Sequence, residues 1–150
     1  YDADALTRWN LYPDTLEMLG KLRNQGFKMA LVSNVGKTSL QAAMEKLGLS
    51  DLIQVVISRD DVSRIKPHPE GLLTAAKALD VAPGEALFIG DSRNDVGAAR
   101  SAGMLAGYLL GGEDSPEAMA LFPADLELDA LHQLPPILTG SPLNPSIYLA

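Results

Sequence analysis

The sequence predicts an α/β fold with a mainly parallel sheet and helices on both of its faces. Short apolar runs alternate with segments whose apolar residues recur at helical spacing. The chain has 150 residues, of which 47% are hydrophobic, and this is enough for one globular domain with a buried core. Strands that alternate with helices favour a parallel sheet, because each helix returns the chain to the same end of the sheet.

The predicted elements follow one another in a regular order. Residues 13–25 are predicted to be a helix, because Leu16, Leu19 and Leu22 have helical spacing and Gly26 is a typical stop. Further helices are predicted over 37–47, 69–79, 94–102 and 115–121. Strands are predicted over the apolar runs 29–32, 52–57 and 86–89, with shorter ones over 105–110 and 125–128. Ligands of such folds bind beyond the carboxyl ends of strands, so the residues that follow each strand are the functional candidates.

Composition and charge exclude several classes of protein. The chain contains no cysteine, which excludes disulfides and thiolate metal sites and fits a cytoplasmic protein. No apolar run in the sequence approaches the length of a membrane-spanning helix. The formal net charge of -7 argues against nucleic acid as the main partner. A small phosphate ester stays compatible with this charge, because a small anion responds to the local field of its site.

Two carboxylates follow the apolar run 86–89. Gly90 ends this region, Asp91 lies at the predicted carboxyl end of the strand, and Asp95 falls in the first turn of the next helix. Both carboxylates can therefore face one crevice above the sheet. Mg²⁺ prefers such oxygen ligands and needs only one or two carboxylates from the protein. Ser92 and Asp95 also match a helix-capping box, which favours acids at this place without any ligand.

Two further polar segments lie at a predicted strand end or in a loop that leads into a helix. Ser33 and Asn34 follow the first predicted strand, where a hydroxyl and backbone N–H groups can bind phosphoryl oxygens. Lys66 lies in Lys-Pro-His-Pro-Glu, and its ammonium suits a phosphate or a negatively charged nucleophile. A helix-capping turn and a solvent-exposed lysine are the structural alternatives. His68 and His132 are assigned no role.

Three motifs, in this order, resemble those of the haloacid dehalogenase-like superfamily. They are Leu31-Val32-Ser33-Asn34, Lys66-Pro67-His68-Pro69 and the run from Phe88 to Asp95. Within that superfamily, four segments most resemble bacterial phosphoglycolate phosphatases: Asp60-Asp61-Val62, Lys-Pro-His-Pro, the Gly-Asp-Ser-Arg-Asn-Asp run and the Ala-Ala-Arg-Ser-Ala-Gly that follows it. The resemblance extends from about Leu11 to Leu138. It implies a Rossmann-like core, Mg²⁺ as the cofactor and a small phosphorylated metabolite as the substrate.

The resemblance also implies roles for individual residues. In the family an aspartate attacks phosphorus, a second aspartate two positions later protonates the leaving oxygen, and water cleaves the aspartyl-phosphate. Ser33 and Asn34 would bind the phosphoryl group, and Lys66 would stabilise both the nucleophile and the phosphoryl charge. Asp91, and Asp95 directly or through water, would bind Mg²⁺.

The chain departs from the family pattern at the first motif, an Asp-x-Asp at the end of a central strand. Its one Asp-x-Asp is Asp2-Ala3-Asp4, which has a single residue before it and lacks the family's Gly-Thr after it. We therefore expect the nucleophile upstream of Tyr1, in a longer enzyme whose central first strand and cap are missing here. Residues 1–12 are expected to be the end of a cap or a linker, 13–138 the core, and 139–150 a disordered tail.

The expected function is that of a Mg²⁺-dependent phosphatase acting on a small monoester such as 2-phosphoglycolate, with the 150-residue chain alone inactive. One alternative is a catalytically silent, Mg²⁺-binding domain that acts with a partner protein. Another is a different reaction on the same scaffold, such as dehalogenation or phosphomutase chemistry, because fold does not fix function. A receiver-like signalling domain is disfavoured, because the strand before Ser33 does not end in an aspartate. No nucleic-acid or membrane partner is expected.

Overall fold

Six parallel strands form the sheet of the computed structural model, which describes residues 15–109, 114–121, 123–128 and 146–149. The strands are β1 (Lys28–Val32), β2 (Val55–Ile57), β3 (Leu87–Gly90), β4 (Leu105–Leu109), β5 (Leu126–Leu128) and β6 (Ser146–Leu149). The α-helices of the described residues are α1 (Thr15–Asn24), α2 (Lys37–Leu47), α3 (Glu70–Leu79) and α4 (Arg93–Ala102). Short 3-10 helices span Arg59–Asp61, Pro83–Glu85 and Ala118–Leu121. This alternation confirms the predicted α/β fold class.

The strand order is β2-β1-β6-β3-β4-β5, and every neighbouring pair is parallel. β6 lies between β1 and β3 although it comes last in the sequence. Leu149 of β6 lies opposite Leu31 of β1 and opposite Ile89 of β3. The carboxyl ends of β1 and β3 therefore lie on one edge of the sheet, about 10 Å apart, which is two strand spacings.

Helices cover both faces of this sheet. Met29 and Leu31 of β1 pack in the core that contains the buried residues of α1 and α2. Ala30 and Val32 of the same strand pack in the opposite core, with the buried residues of α3 and α4. Because both faces are covered, four consecutive residues of β1 are buried, and the strand is a continuous apolar run rather than an alternating one.

The structure of residues 146–149 differs from what the sequence predicts. A disordered tail over 139–150 is wrong for Ser146–Leu149, which form β6 and pair with a strand on each side. A proline-rich and polar composition indicated a tail, but a short apolar stretch is enough to fill the position between two strands. The central position of the sheet is therefore filled by β6, which follows the other strands in the sequence, and not by a strand that precedes them. Residues 139–145 and 150 lie outside the described residues.

The observed element boundaries lie close to the predicted ones, with two differences. β2 is shorter than the predicted 52–57, because the N–H groups of Leu52 and Ile53 donate to the Leu49 carbonyl in a turn after α2. The helix predicted over 115–121 is only a short 3-10 turn at Ala118–Leu121. The cap or linker expected over residues 1–12 lies outside the described residues. None of the described helices is both long enough and apolar enough to cross a bilayer.

Candidate functional site

The candidate site lies at the carboxyl edge of the sheet, where β1 and β3 end. Ser33 follows β1 directly, and Asp91 follows β3 directly. Lys66 reaches the same edge from the loop before α3, and Asp95 reaches it from the first turn of α4. The structure thus brings these four predicted residues to one edge of the sheet, at the place where ligands bind in folds of this class.

Lys66 is buried and bridges two parts of this edge. Its exposed fraction is 8%, and its Nζ donates to the Val32 carbonyl at 2.9 Å and to Asp95 Oδ1 at 2.7 Å. Nζ also lies 5.1 Å from the centre of the Phe88 ring. Two of its three N–H donors are therefore used by described residues, and the third can donate to a ligand. The alternative of a solvent-exposed lysine is wrong.

Asp95 uses both carboxylate oxygens inside the protein. Oδ1 accepts from Lys66, and Oδ2 accepts from the Asp91 N–H at 3.1 Å and from the Ser92 hydroxyl at 3.0 Å. Ser92 Oγ in turn accepts from the Asp95 N–H at 3.3 Å, so the helix cap considered as an alternative is also present. Gly90 makes room for this carboxylate, since a Cβ at that position would lie 2.3 Å from Asp95 Cγ.

Ser33 and Asn34 use their side chains in different ways. Ser33 Oγ accepts from the Val35 N–H at 3.1 Å, which leaves the hydroxyl hydrogen available to donate. The Asn34 carboxamide instead holds the main chain of Lys66. Asn34 Oδ1 accepts from the Lys66 N–H at 3.1 Å, and Nδ2 donates to the Lys66 carbonyl at 3.4 Å. A contact between Asn34 and phosphate stays a prediction. A contact made by its side chain would compete with the two hydrogen bonds to the main chain of Lys66.

Asp91 is half-buried, and its main chain is fixed on both sides. Its N–H donates to Asp95 Oδ2, and its carbonyl accepts from the Asp114 N–H at 2.9 Å. No cluster of three His, Cys, Asp or Glu side chains suited to a metal occurs among the described residues. Mg²⁺ does not require one, because water and substrate phosphate complete its shell. The carboxylates of Asp91 and Asp95 are oxygen donors of the kind that Mg²⁺ prefers, and the described residues use three of about four acceptor sites of Asp95, which leaves one for a metal or its water.

Asp114 and Tyr108 were not predicted from the sequence. Asp114 Oδ2 accepts from the Arg93 N–H at 2.8 Å, and the Tyr108 hydroxyl donates to the Asp114 carbonyl. Burial, followed by the charges of Asp114 and Asp91, raises the pKa of Tyr108 above the usual value of 10.0. No motif singled these residues out. The available signal was the hydroxyl of Tyr108 in an apolar strand, because a buried tyrosine O–H needs a partner.

Asp60 and Asp61, which contributed to the resemblance, have local partners. Asp60 Oδ2 accepts from the Lys37 N–H at 2.7 Å and so caps the start of α2. Asp61 Oδ2 accepts from the Ser58 N–H at 2.8 Å and from its hydroxyl at 2.9 Å. These two hydrogen bonds lower the pKa of Asp61 below 3.8. Both carboxylates therefore fix the loop that precedes Lys66.

The remaining residues that the sequence singled out lie away from these contacts or outside the described residues. Nδ1 of His68 accepts from the Glu70 N–H at 3.1 Å, at the start of α3. This local contact agrees with assigning His68 no role. His132 and Asp2-Ala3-Asp4 lie outside the described residues, so the expectations about them stay predictions.

Known proteins are similar to this chain over most of its length. Residues 2–107 match the model of the family described as haloacid dehalogenase-like hydrolase. The chain is 39% identical over 128 residues to a phosphoglycolate phosphatase of Salmonella paratyphi A. That match covers 85% of this chain and 51% of the relative. The chain therefore spans about half the length of the curated relatives that it matches.

Solved structures show the same fold. A predicted phosphoglycolate phosphatase from Haemophilus somnus superposes with a TM-score of 0.79 at 29% identity, over 84% of this chain and 56% of that one. A HAD phosphatase from Thermococcus onnurineus superposes with a TM-score of 0.75 at 37% identity, over 91% of this chain and 63% of that one. The motifs, the sheet and these similarities agree, and the chain belongs to the haloacid dehalogenase-like hydrolase family.

Proposed function

We propose that this protein is a Mg²⁺-dependent phosphatase that hydrolyses a small phosphate monoester such as 2-phosphoglycolate. One observation carries the proposal. The Lys66 ammonium is buried at the carboxyl edge of the sheet and donates to Val32 and Asp95, and its third N–H is not used by the described residues. A buried cation that is fixed before substrate arrives stabilises charge without reorganisation, and phosphoryl transfer is catalysed mainly by such positioning and charge.

Ser33 supports the same proposal from the neighbouring strand end. Its hydroxyl accepts from Val35 and can donate to a phosphoryl oxygen, while the Lys66 ammonium donates to the carbonyl of Val32, the residue before Ser33. We propose that these two residues bind the phosphoryl group together. Asn34 contributes by holding the main chain of Lys66 at both its N–H and its carbonyl. Positioning of this kind accounts for a large part of the rate that enzymes gain in displacement reactions.

The metal proposal assigns different tasks to the two carboxylates. Asp91 would be a direct ligand of Mg²⁺, and Asp95 would contact it through water, because three donors already occupy the oxygens of Asp95. When bound, Mg²⁺ supplies charge neutralisation for the phosphoryl oxygens. Asp95 would mainly orient the Lys66 ammonium and fix the turn between β3 and α4.

The nucleophile is proposed from the family resemblance, since the described residues contain no Asp-x-Asp. An aspartate oxygen would attack phosphorus, the ester P–O bond would break, and the leaving oxygen would take a proton from a second carboxylic acid. Water would then cleave the aspartyl-phosphate, releasing phosphate and regenerating the carboxylate. Lys66 would stabilise the negative charge during both steps. We therefore propose that the 150-residue chain is inactive until an aspartate is supplied at this edge.

Phosphate and halide release measured under one set of conditions test the proposal. The enzyme carries any residues that its gene encodes before Tyr1, and the 150-residue chain is assayed beside it. The substrates are 2-phosphoglycolate and a 2-haloacid, each with Mg²⁺ or with EDTA. We expect phosphate from 2-phosphoglycolate in Mg²⁺ and none in EDTA. Halide release without phosphate release would indicate a dehalogenase instead of a phosphatase. Equal turnover in Mg²⁺ and in EDTA would show that the reaction does not require the metal.

A further inference from the structure

We propose that Asp114 is a positioning residue that fixes the main chain of Asp91 for binding Mg²⁺. This inference rests on the metal role proposed for Asp91. The Asp91 peptide groups are fixed from two directions: its N–H donates to Asp95 Oδ2, and its carbonyl accepts from the Asp114 N–H at 2.9 Å. Asp95 belongs to α4, whereas Asp114 comes from the segment after β4. Two separate elements therefore set the orientation of the residue at the end of β3.

Asp114 can hold Asp91 because it is itself anchored at both ends. Its Oδ2 accepts from the Arg93 N–H at 2.8 Å and lies 3.6 Å from the Arg93 Nε. Its carbonyl accepts from the hydroxyl of Tyr108, whose exposed fraction is 2%. Tyr108 lies opposite Gly90, the residue before Asp91, in the pairing of β3 with β4. One anchor of Asp114 therefore lies in β4 opposite the last residue of β3, and the other is the first residue of α4, two positions after Asp91.

Removal of the Asp114 carboxylate tests positioning because it leaves all the proposed Mg²⁺ ligands in place. Asp114→Ala would remove the carboxylate that contacts Arg93. The Asp114 main chain, whose N–H donates to the Asp91 carbonyl, would then keep one of its two anchors, the contact with the Tyr108 hydroxyl. Asp114→Asn would keep an acceptor for the Arg93 N–H while removing the negative charge. The comparison of these two variants separates positioning from a simple charge effect on the metal.

Asp125 offers a matched control in the same layer of the fold. Its carboxylate accepts from Arg100 Nη1 at 3.0 Å and from the Ala106 N–H at 2.7 Å, so it also links a helix to the region of β4. Ala106 pairs with Phe88, two residues before Gly90, which places this contact nearer the amino ends of the strands. Asp125→Ala should therefore cost stability without changing the main chain of Asp91.

Calorimetric titration of the 150-residue chain with MgCl₂ measures the dissociation constant, and a thermal melt without metal measures stability. We expect Asp114→Ala to weaken Mg²⁺ binding about tenfold or more, as loss of a residue that orients a ligand does. Tyr108→Phe removes the other anchor with almost no change in volume, and it should weaken binding in the same direction. Asp114→Asn should stay within about threefold of the parent, because its acceptor is retained. Asp125→Ala should lower the melting temperature with Mg²⁺ binding unchanged.

The possible contrary results have different meanings. Parental Mg²⁺ binding in Asp114→Ala and Tyr108→Phe would overturn the positioning role while leaving the proposed function intact. Equal weakening in Asp114→Ala and Asp114→Asn would also overturn it, because charge alone would then account for the effect. If the parent chain does not bind Mg²⁺, or if Asp91→Asn binds it as tightly as the parent, Asp91 is not a Mg²⁺ ligand. The positioning role of Asp114 would then be wrong as well.

Discussion

Replacement of Lys66 by methionine should destabilise the fold strongly, even without substrate or metal. The substitution keeps much of the side-chain volume and removes the ammonium. Asp95 would then keep a carboxylate whose side chain is only 6% exposed, without the cation that lies 2.7 Å from Oδ1. The Val32 carbonyl would lose its contact with Nζ as well. A buried charge without its partner is the main source of the expected cost.

The expected loss is about 3 to 5 kcal/mol, the usual cost of removing one partner from a buried ion pair. The two donors that Asp95 retains, the Asp91 N–H and the Ser92 hydroxyl, favour the lower half of that range. For a domain of this size, 1 kcal/mol shifts the melting temperature by about 2 to 4 °C, so a loss of about 3 to 4 kcal/mol should lower it by about 6 to 16 °C. Asp95→Asn in the same chain should recover part of it, because no unpaired charge is then left.

Urea unfolding followed by circular dichroism measures these differences for Lys66→Met, Asp95→Asn and the double variant. Lys28→Met is the matched control, because Lys28 also donates to a main-chain carbonyl, that of Leu79, but is exposed and has no carboxylate partner among the described residues. We expect the control to cost less than about 1 kcal/mol. A loss below about 1 kcal/mol for Lys66→Met, or strictly additive effects in the double variant, would refute the buried ion pair.

Three further predictions follow from single contacts. Asn34→Ala removes two hydrogen bonds to one main-chain segment, and we expect it to cost about 1 to 3 kcal/mol in urea unfolding and to lower kcat more than it raises KM. Gly90→Ala places a Cβ 2.3 Å from a buried carboxylate and should cost about 1 to 3 kcal/mol, whereas Gly84→Ala, which meets nothing within 4 Å, should be nearly neutral. The lowered pKa of Asp61 predicts that the stability this carboxylate adds is present above about pH 4 and is lost as the pH falls through its folded-state value. The difference in melting temperature between Asp61→Asn and the parent should therefore be present at pH 7 and shrink as the pH falls below about 4, and a constant difference would contradict this.

Much of the fold was predictable because both faces of the sheet are covered. Strands that are buried on both sides are short continuous apolar runs, and helices between them keep their own spacing, so the two patterns are easily separated. β6 was not predictable in this way. Its four residues follow a stretch rich in proline and polar residues, and their place is set by the position between β1 and β3 rather than by their own pattern. Long-range pairing of this kind leaves no local signal.

The site residues that directly follow a strand were predictable from the sequence. Residues that hold another residue in place were less predictable. Spacing placed Ser33, Lys66 and Asp91 at one edge of the sheet, as the structure shows. It did not show that Asn34 holds the main chain of Lys66, since an asparagine beside a serine after a strand fits a phosphate contact equally well. Nor did it indicate Asp114, whose contacts with three other residues depend on the folded arrangement.

If the buried ammonium of Lys66 serves phosphoryl transfer, its removal in Lys66→Met should lower kcat/KM for 2-phosphoglycolate. The measurement uses the enzyme with any residues that its gene encodes before Tyr1, in saturating Mg²⁺, and at a temperature at which melts show both proteins folded. Lys28→Met serves as the control. We expect kcat/KM to fall by a factor of about 10² to 10⁴ in Lys66→Met, as for the loss of other fixed electrostatic groups, and to stay near the parental value in Lys28→Met. A folded Lys66→Met enzyme with near-parental kcat/KM would show that the Lys66 ammonium does not serve phosphoryl transfer.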